Sequence, residues 1–187
     1  MSGRGWKEIS RETCVDSPYL KVYREVVATP TRPEGIEWTV VRRKQAVVVA
    51  PRTPEGQFYL IRQERIAIRK VLWEFPAGQI DGVVDEASIL ESVHRELGEE
   101  TGCETSDPLV PAGTFWSSAG FTDERAHLFL ATNVRPRLSG SAPDEHEAIL
   151  DCRTFSPDAL RGMIAAGEIE DANTLSLFAR LSVMSHI

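Results

Sequence analysis

Cysteine is scarce in this 187-residue chain: Cys14, Cys103 and Cys152 are odd in number, widely spaced and include no CxxC pair. That argues against a disulfide framework or a zinc site and fits buried, reduced thiols in a cytosolic protein. Long apolar runs are missing as well. The opening MSGRGWKEIS lacks a signal-peptide core, and no stretch approaches the ~18 apolar residues of a membrane-spanning helix. A cytoplasmic location without a membrane partner is therefore expected. Basic charge is also short, with 21 Lys and Arg against 28 Asp and Glu, a net charge of −7. This speaks against a general nucleic-acid binder, although metal ions and a few arginines can reverse the field locally for an anionic small molecule. Neither an internal repeat nor a low-complexity tract is present. What remains is an ordinary globular composition, 42% hydrophobic and 26% charged, long enough for one domain or one domain with a small appendage.

The pattern along the chain predicts a mixed α/β or α+β domain, with helices packed on a mixed sheet, behind an N-terminal arm. Strands are expected at 19–29 and 36–43, separated by the turn PTRPEG, and at 45–51 and 57–63, joined by RTPEG. A short strand at VLWEFPAG should stop at Pro76 and Gly78. Ile89, Val93 and Leu97 recur every four residues, with Leu90 beside them, behind Asp85 as N-cap and before Gly102 as terminator. Further strands are expected in AGTFWSS, RAHLFLATNV and 148–155. A helix at 157–167 follows, capped by Ser156 with Pro157 in its first turn, and a last helix runs from about Asp171. The boundaries are drawn as an arm at 1–44 and a main domain at 45–187.

The predicted helix carries a crowd of carboxylates. Residues three or four apart share a helix face, so Glu96 lies beside both Glu99 and Glu100, away from the apolar stripe. Like charges so placed repel unless something positive joins them. Hard oxygen ligands of this kind suit Mg²⁺, which takes one or two carboxylates plus phosphates and water. A solvated helix face explains the same string, since Glu and Arg are good helix formers. Gly98 within the helix costs about 1 kcal/mol relative to alanine, which makes sense if another group must approach closely.

The string Gly78 … Arg95-Glu96-Leu97-Gly98-Glu99-Glu100-Thr101-Gly102-Cys103 resembles the signature of the Nudix hydrolase family. The second half, R-E-U-x-E-E-x-G-U with U apolar, matches at every fixed position. The first half is longer: 17 positions separate Gly78 from Arg95, three more than in the family pattern, and Ala87 stands where the first glutamate is expected. Asp85 or Glu86 is the stand-in. LWEFPAGQID, FYLIRQERIAIRK, SSAGFTDERAHLFLA and AAGEIEDANTLSLFARL extend the resemblance to the ADP-ribose pyrophosphatase branch. The resemblance implies a Nudix fold, a mixed sheet sandwiched between helices, with an N-terminal β arm exchanged across a homodimer.

It also implies roles for particular residues. Glu96, Glu99, Glu100 and the backbone carbonyl of Ala77 match metal ligands, for Mg²⁺ or alternatively Mn²⁺. Arg95 orients the carboxylates. Glu145 is expected as general base and Glu147 as metal or water ligand, or the two reversed; His146 between them reads as a solvated loop histidine. Trp6 and Trp38 match tryptophans that sandwich a purine between subunits, or else pack at an interface. Arg43 and Arg65 match diphosphate contacts, and Glu124 a substrate-facing position. Glu74 either helps position the terminal ribose or is a strand-end surface residue. The implied substrate is a nucleoside diphosphate sugar, ADP-ribose foremost, with GDP-mannose or another nucleotide sugar as the alternative. Ala119 bears on that choice, because ADP-ribose enzymes often carry proline in that S-P-G turn. A ligand-sensing regulatory domain is the reading from another class, but it would be expected with an eroded box, and here the metal-binding half is intact.

Overall fold

The computed structural model describes residues 5–138, 140–141 and 148–187. Contacts divide the chain into two units. One is the sequence up to Lys44 with Trp116–Arg125, the other Gln45–Phe115 with Ala126–Ile187.

In the smaller unit, β1 (Lys7–Asp16), β2 (Lys21–Thr29) and β3 (Arg32–Arg42) form an antiparallel sheet in that order. The sequence pattern does not predict β1. All ten of its residues are exposed, so no alternation of buried and open positions marks it. Cys14 lies on this strand and is exposed, contrary to the expectation of three buried thiols; Cys103 is buried, Cys152 half-buried, and all three are free. Glu25 on β2 is buried and accepts two bonds from Arg42 Nη2, at 3.0 and 3.1 Å, with Arg11 Nε at 3.1 Å. A carboxylate out of water needs such partners. β3 holds the 116–125 segment through Val41 N–H to the Phe121 carbonyl at 2.7 Å.

The larger unit is built on a four-stranded mixed sheet ordered β7-β4-β10-β9. Its strands are β4 (Ala46–Pro51), β7 (Ala77–Gln79), β9 (Val110–Trp116) and β10 (Arg125–Ala131). β4 and β10 run parallel, with Val48 opposite Leu128, while β7 is antiparallel to β4. A second sheet, β12-β5-β6, joins β5 (Phe58–Arg65), β6 (Lys70–Glu74) and β12 (Ile149–Phe155), and β8 (Cys103–Glu104) pairs with β11 (Arg135–Pro136). The expected short strand in VLWEFPAG is β6, which ends before Pro76, a residue that cannot donate to a ladder; β7, opening at Ala77, is a separate strand that the sequence pattern does not predict.

Why β4 reads as a continuous apolar run follows from its two covered faces. Val48 and Ala50 face one core with Leu128, Leu130, Leu160, Leu177 and Leu181; Val47 and Val49 face the other with Val93, Leu97, Phe129 and Ala131. The first core takes its helical residues from α2 (Pro157–Ala165) and α3 (Ala172–Val183), the second from α1 (Glu86–Thr101). The sheet is thus packed between α1 on one side and α2 with α3 on the other. Caps form where expected: Asp85 opens α1, Ser156 with Pro157 opens α2, and Asp171 opens α3. Gly102 closes α1 at φ +67°, the left-handed region that favours glycine. Among the described residues no helix is long and apolar enough to cross a membrane.

Candidate active site

Helix α1 presents its carboxylates inward. Glu96 is 2% and Glu100 1% exposed, so the expected cluster on the side of the helix is in fact largely sealed from water. The reason is a close neighbour. β7 passes so near α1 that a Cβ on Gly78 would lie 1.6 Å from Glu96 Oε1. One residue earlier, the Ala77 N–H donates to Glu100 Oε2 at 2.8 Å. A glycine and a free amide therefore let the backbone run against both carboxylates.

Arg95 spans the cluster. Its guanidinium lies 2.6 Å from Glu96 Oε1 and 2.9 Å from Glu99 Oε2, and donates to the Gln79 carbonyl at 3.0 Å. Burial opposes the Arg95 charge, but Glu96 and Glu99 outweigh it and hold the guanidinium firmly protonated. Glu99 is the more open of the three acids and is turned toward Arg95. Asp85 is exposed and caps the helix, accepting Ser88 N–H at 2.9 Å, which holds its carboxyl below the usual range. Its carboxylate is thereby committed to α1, and Glu86 is exposed in the first turn.

Glu74 is not a surface residue. It is 1% exposed and gripped by Arg65, whose Nε lies 2.8 and 3.1 Å from its two oxygens and whose Nη2 also donates to it. Burial pushes the Glu74 carboxyl above the usual range, and the Arg65 charge opposes that push. The pairing holds the Arg65 guanidinium in a fixed position. Gly98 accommodates a neighbour as well: a Cβ there would stand 2.4 Å from Arg137 Nη1. The group that approaches this helix glycine is a protein cation. Sequence reasoning missed Arg137 and Gln79, since neither position carries a pattern of its own.

Arg43, Glu124 and Trp38 are gathered in the smaller unit. Arg43 Nη1 lies 3.0 Å from Glu124 Oε1, and Ser117 Oγ donates to Glu124 Oε2 at 2.7 Å. Trp38 Nε1 donates to the Gly120 carbonyl at 2.7 Å, leaving its ring half-exposed on the turn that contains Ala119. Trp6 is also half-exposed, but strand register separates it from Trp38. Trp38 pairs across Glu25, which faces Arg11, whereas Trp6 precedes Lys7, opposite Ala28. At ~3.4 Å per strand residue the two backbone positions are offset by on the order of 15 Å along the sheet. Glu145, His146 and Glu147 lie outside the described residues.

The donor set fits a hard dication. Glu96 and Glu100 are buried carboxylates on one helix face, and two like charges out of water call for compensating positive charge. Carboxylate oxygen is the donor that Mg²⁺ or Mn²⁺ prefers. Among the described residues no three Asp, Glu, His or Cys side chains already converge as a metal cluster, so two buried glutamates with Glu99 nearby are what α1 supplies. The arrangement defines a class: a sheet-and-helix protein with a helix-borne set of acidic side chains held against a backbone turn.

Comparison with known proteins narrows that class. Residues 42–178 match the profile of the NUDIX domain. The chain is 31% identical over 169 residues to the ADP-ribose pyrophosphatase of Bacillus subtilis (strain 168), covering 90% of this chain and 88% of the relative. It is 33% identical over 138 residues to the ADP-ribose pyrophosphatase of Mycobacterium tuberculosis (strain ATCC 25618 / H37Rv), 72% of this chain and 63% of the relative. A relative of another name, the methanol dehydrogenase activator of Bacillus methanolicus, is 31% identical over 73% of this chain and 71% of its own length. A solved structure, described as that of an ADP compounds hydrolase, superposes with a TM-score of 0.77 over the whole of both chains at 17% identity, a likeness of fold. The chain belongs to the Nudix family and is a pyrophosphohydrolase with the Nudix fold.

Proposed function

We propose that the protein hydrolyses the diphosphate bond of a nucleoside diphosphate sugar, ADP-ribose first among them, to give AMP and ribose 5-phosphate, with Mg²⁺ bound at Glu96 and Glu100. The observation that carries the reading is the buried pair of carboxylates one helix turn apart, pressed against Ala77 and Gly78. Two relatives named ADP-ribose pyrophosphatase support the substrate class.

Bound there, Mg²⁺ would neutralise diphosphate oxygens and activate a water. The chain's own residues do the remainder. Glu96 and Glu100 hold the ion, with Glu99 and the Ala77 carbonyl completing the protein's share. Arg95 keeps Glu96 and Glu99 from parting under their mutual repulsion. Arg65, fixed by Glu74, and Arg43, fixed by Glu124, offer guanidinium forks to phosphate oxygens. Glu145 takes the proton of the attacking water, and Glu147 helps hold that water. The arm at 1–44 serves dimerisation and base binding. The separation of Trp6 from Trp38 within one sheet supports a shared site, in which the partner of a homodimer supplies the second ring. Residence in the cytoplasm completes the proposal. GDP-mannose remains the second reading, motivated by Ala119 in a turn where ADP-ribose enzymes often carry proline.

A panel of nucleotide sugars, assayed for phosphate-containing products with and without Mg²⁺, tests this directly. ADP-ribose should be the best substrate and turnover should vanish on chelation. Glu96→Gln and Glu100→Gln should each lower kcat by ~10²-fold or more while the fold survives. Near-normal turnover in both variants at limiting Mg²⁺ would overturn the ligand assignment, and a clear preference for GDP-mannose would overturn the substrate.

A further inference from the structure

The turn that meets the carboxylates is anchored from the far side of the sheet. Asp171, the N-cap of α3, accepts both the backbone N–H of Thr174 at 2.7 Å and its hydroxyl at 2.8 Å. With its proton committed to Asp171, Thr174 Oγ1 turns a lone pair outward and accepts the Phe75 N–H at 2.8 Å. Thr174 is 1% exposed, and Phe75 is buried in the α2–α3 core. Pro76 follows, whose carbonyl accepts the Val49 N–H at 2.9 Å. Then comes Ala77, whose N–H donates to Glu100 Oε2, and Gly78 against Glu96.

This three-residue segment is stiff. Proline fixes its own φ, and the residue before a proline is confined to extended conformations. A displacement at Phe75 therefore passes to Ala77 instead of being absorbed between them. Phe75 also has only one backbone donor, and no water reaches it to replace a lost acceptor.

We propose that Thr174 is a positioning residue for the ion site: through Phe75 and Pro76 it sets where the Ala77 amide and the Gly78 backbone stand, and so the orientation of Glu100 and Glu96. The α3 N-terminus is then part of the catalytic apparatus, although it lies across the sheet from α1. This rests on the divalent-ion reading given above.

The variants are Thr174→Val, which keeps the shape and removes the hydroxyl, and Thr174→Ser, which restores it. Leu177→Ala, in the same core and on the same helix, serves as a control for plain destabilisation. Two readouts are independent of turnover: the rise in Tm on titrating Mn²⁺ into the ion-free protein, and hydrogen exchange at the Ala77 amide. Thr174→Val should weaken apparent Mn²⁺ affinity by ~10-fold, the lower end for residues that orient metal ligands, and should speed exchange at Ala77. Thr174→Ser should recover both, and Leu177→Ala should lower Tm while leaving both near the wild-type values. If Thr174→Val does not fold, Asp171→Asn takes its place. It keeps a good N-cap but weakens the acceptor of the Thr174 hydroxyl, and should give a smaller change of the same kind. Wild-type Mn²⁺ affinity in the Thr174→Val or Asp171→Asn variant, or an equal loss in Leu177→Ala, would overturn the proposal. A wild type whose Tm ignores Mn²⁺ and Mg²⁺ would overturn the ion site itself, which is a different failure.

Discussion

Replacing Gly78 by alanine would place a methyl carbon 1.6 Å from Glu96 Oε1, 2.0 Å from its Cδ and 2.7 Å from Oε2. Gly78 is not among the glycines with positive φ, so the backbone accepts alanine and the whole effect is the collision. Real Cβ contacts begin near 3.0 Å, so the Glu96 carboxylate must retreat by about 1.4 Å or β7 must lift from α1. The first outcome breaks the 2.6 Å contact with Arg95, and the second breaks the Ala77 bond to Glu100. A misplacement of ~1 Å at a reacting geometry can cost ~10²-fold in rate, and overpacking typically costs ~1–3 kcal/mol. Gly78→Ala should therefore lose ~10²-fold in kcat at saturating substrate and ion, with a Tm fall of several degrees at most. Gly162→Ala is the control, because nothing stands within 4 Å of its Cβ and it lies inside α2. It should gain ~0.5–1 kcal/mol and keep full activity. The measurements are steady-state kinetics and thermal denaturation on both variants. If Gly78→Ala keeps kcat within about threefold of wild type, Glu96 does not need its observed place, and the glycine is not there to seat the carboxylate.

Three further outcomes are expected. Arg65→Met should destabilise the fold by ~2–3 kcal/mol, below the ~3–5 kcal/mol of a fully buried broken pair because the Arg65 side chain is 38% exposed. Urea denaturation reads that loss, and an unchanged KM would make Arg65 a partner of Glu74 only. Iodoacetamide at pH 8 should alkylate Cys14 in the native protein and spare Cys103 and Cys152. Burial, aided by the charges of Cys103, Asp151 and Glu100, pushes the Cys152 thiol up to about 12, so its reactive thiolate is scarce until the pH climbs toward that value; rapid labelling of Cys152 at pH 8 in the ion-free protein would refute this. Trp6→Ala and Trp38→Ala should each raise KM for ADP-ribose, by the ~1–3 kcal/mol of a lost stacking partner, with little change in kcat. Sedimentation should show a dimer, and a fully active monomer would defeat the shared site.

Local chemistry was readable in the sequence; chemistry between distant segments was not. The caps at Asp85, Ser156 and Asp171 stand where hydroxyl and carboxylate residues precede apolar periodicity, and Gly102 ends α1 as its position suggests. The strand β1 escaped notice because burial, not composition, writes the period-2 pattern, and β1 buries nothing. Glu96 and Glu100 looked like surface residues because charge is the usual sign of exposure. Only the passage of β7 over α1 shows that they are covered. Thr174 and Phe75 are 99 residues apart, and four strands, β8 to β11, lie between Gly98 and Arg137. Pairings of that range follow from the assembled sheet, and no local rule announces them.

The parallel pairing of β4 with β10 has a consequence for the order in which the chain is built. Val47, Val48, Val49 and Ala50 are wholly buried, yet the partner strand begins at Arg125, and α1 lies between them in the chain. During synthesis β4 must wait with one edge unpaired until some 80 further residues have emerged, or on the order of 4–16 s at ~5–20 residues per second. Such long-range parallel pairing is intrinsically slow, and an open apolar edge is a template for other chains. β7, made much sooner, covers the opposite edge and brings Gly78 to α1. β7 and α1 can therefore meet in the nascent chain before the strand that completes the sheet exists, while the bond from Phe75 to Thr174 that fixes the turn forms last, once α3 has been made. Variants that slow β10, through Leu128 or Leu130, should then show their damage as aggregation during expression more than as reduced turnover in the molecules that survive.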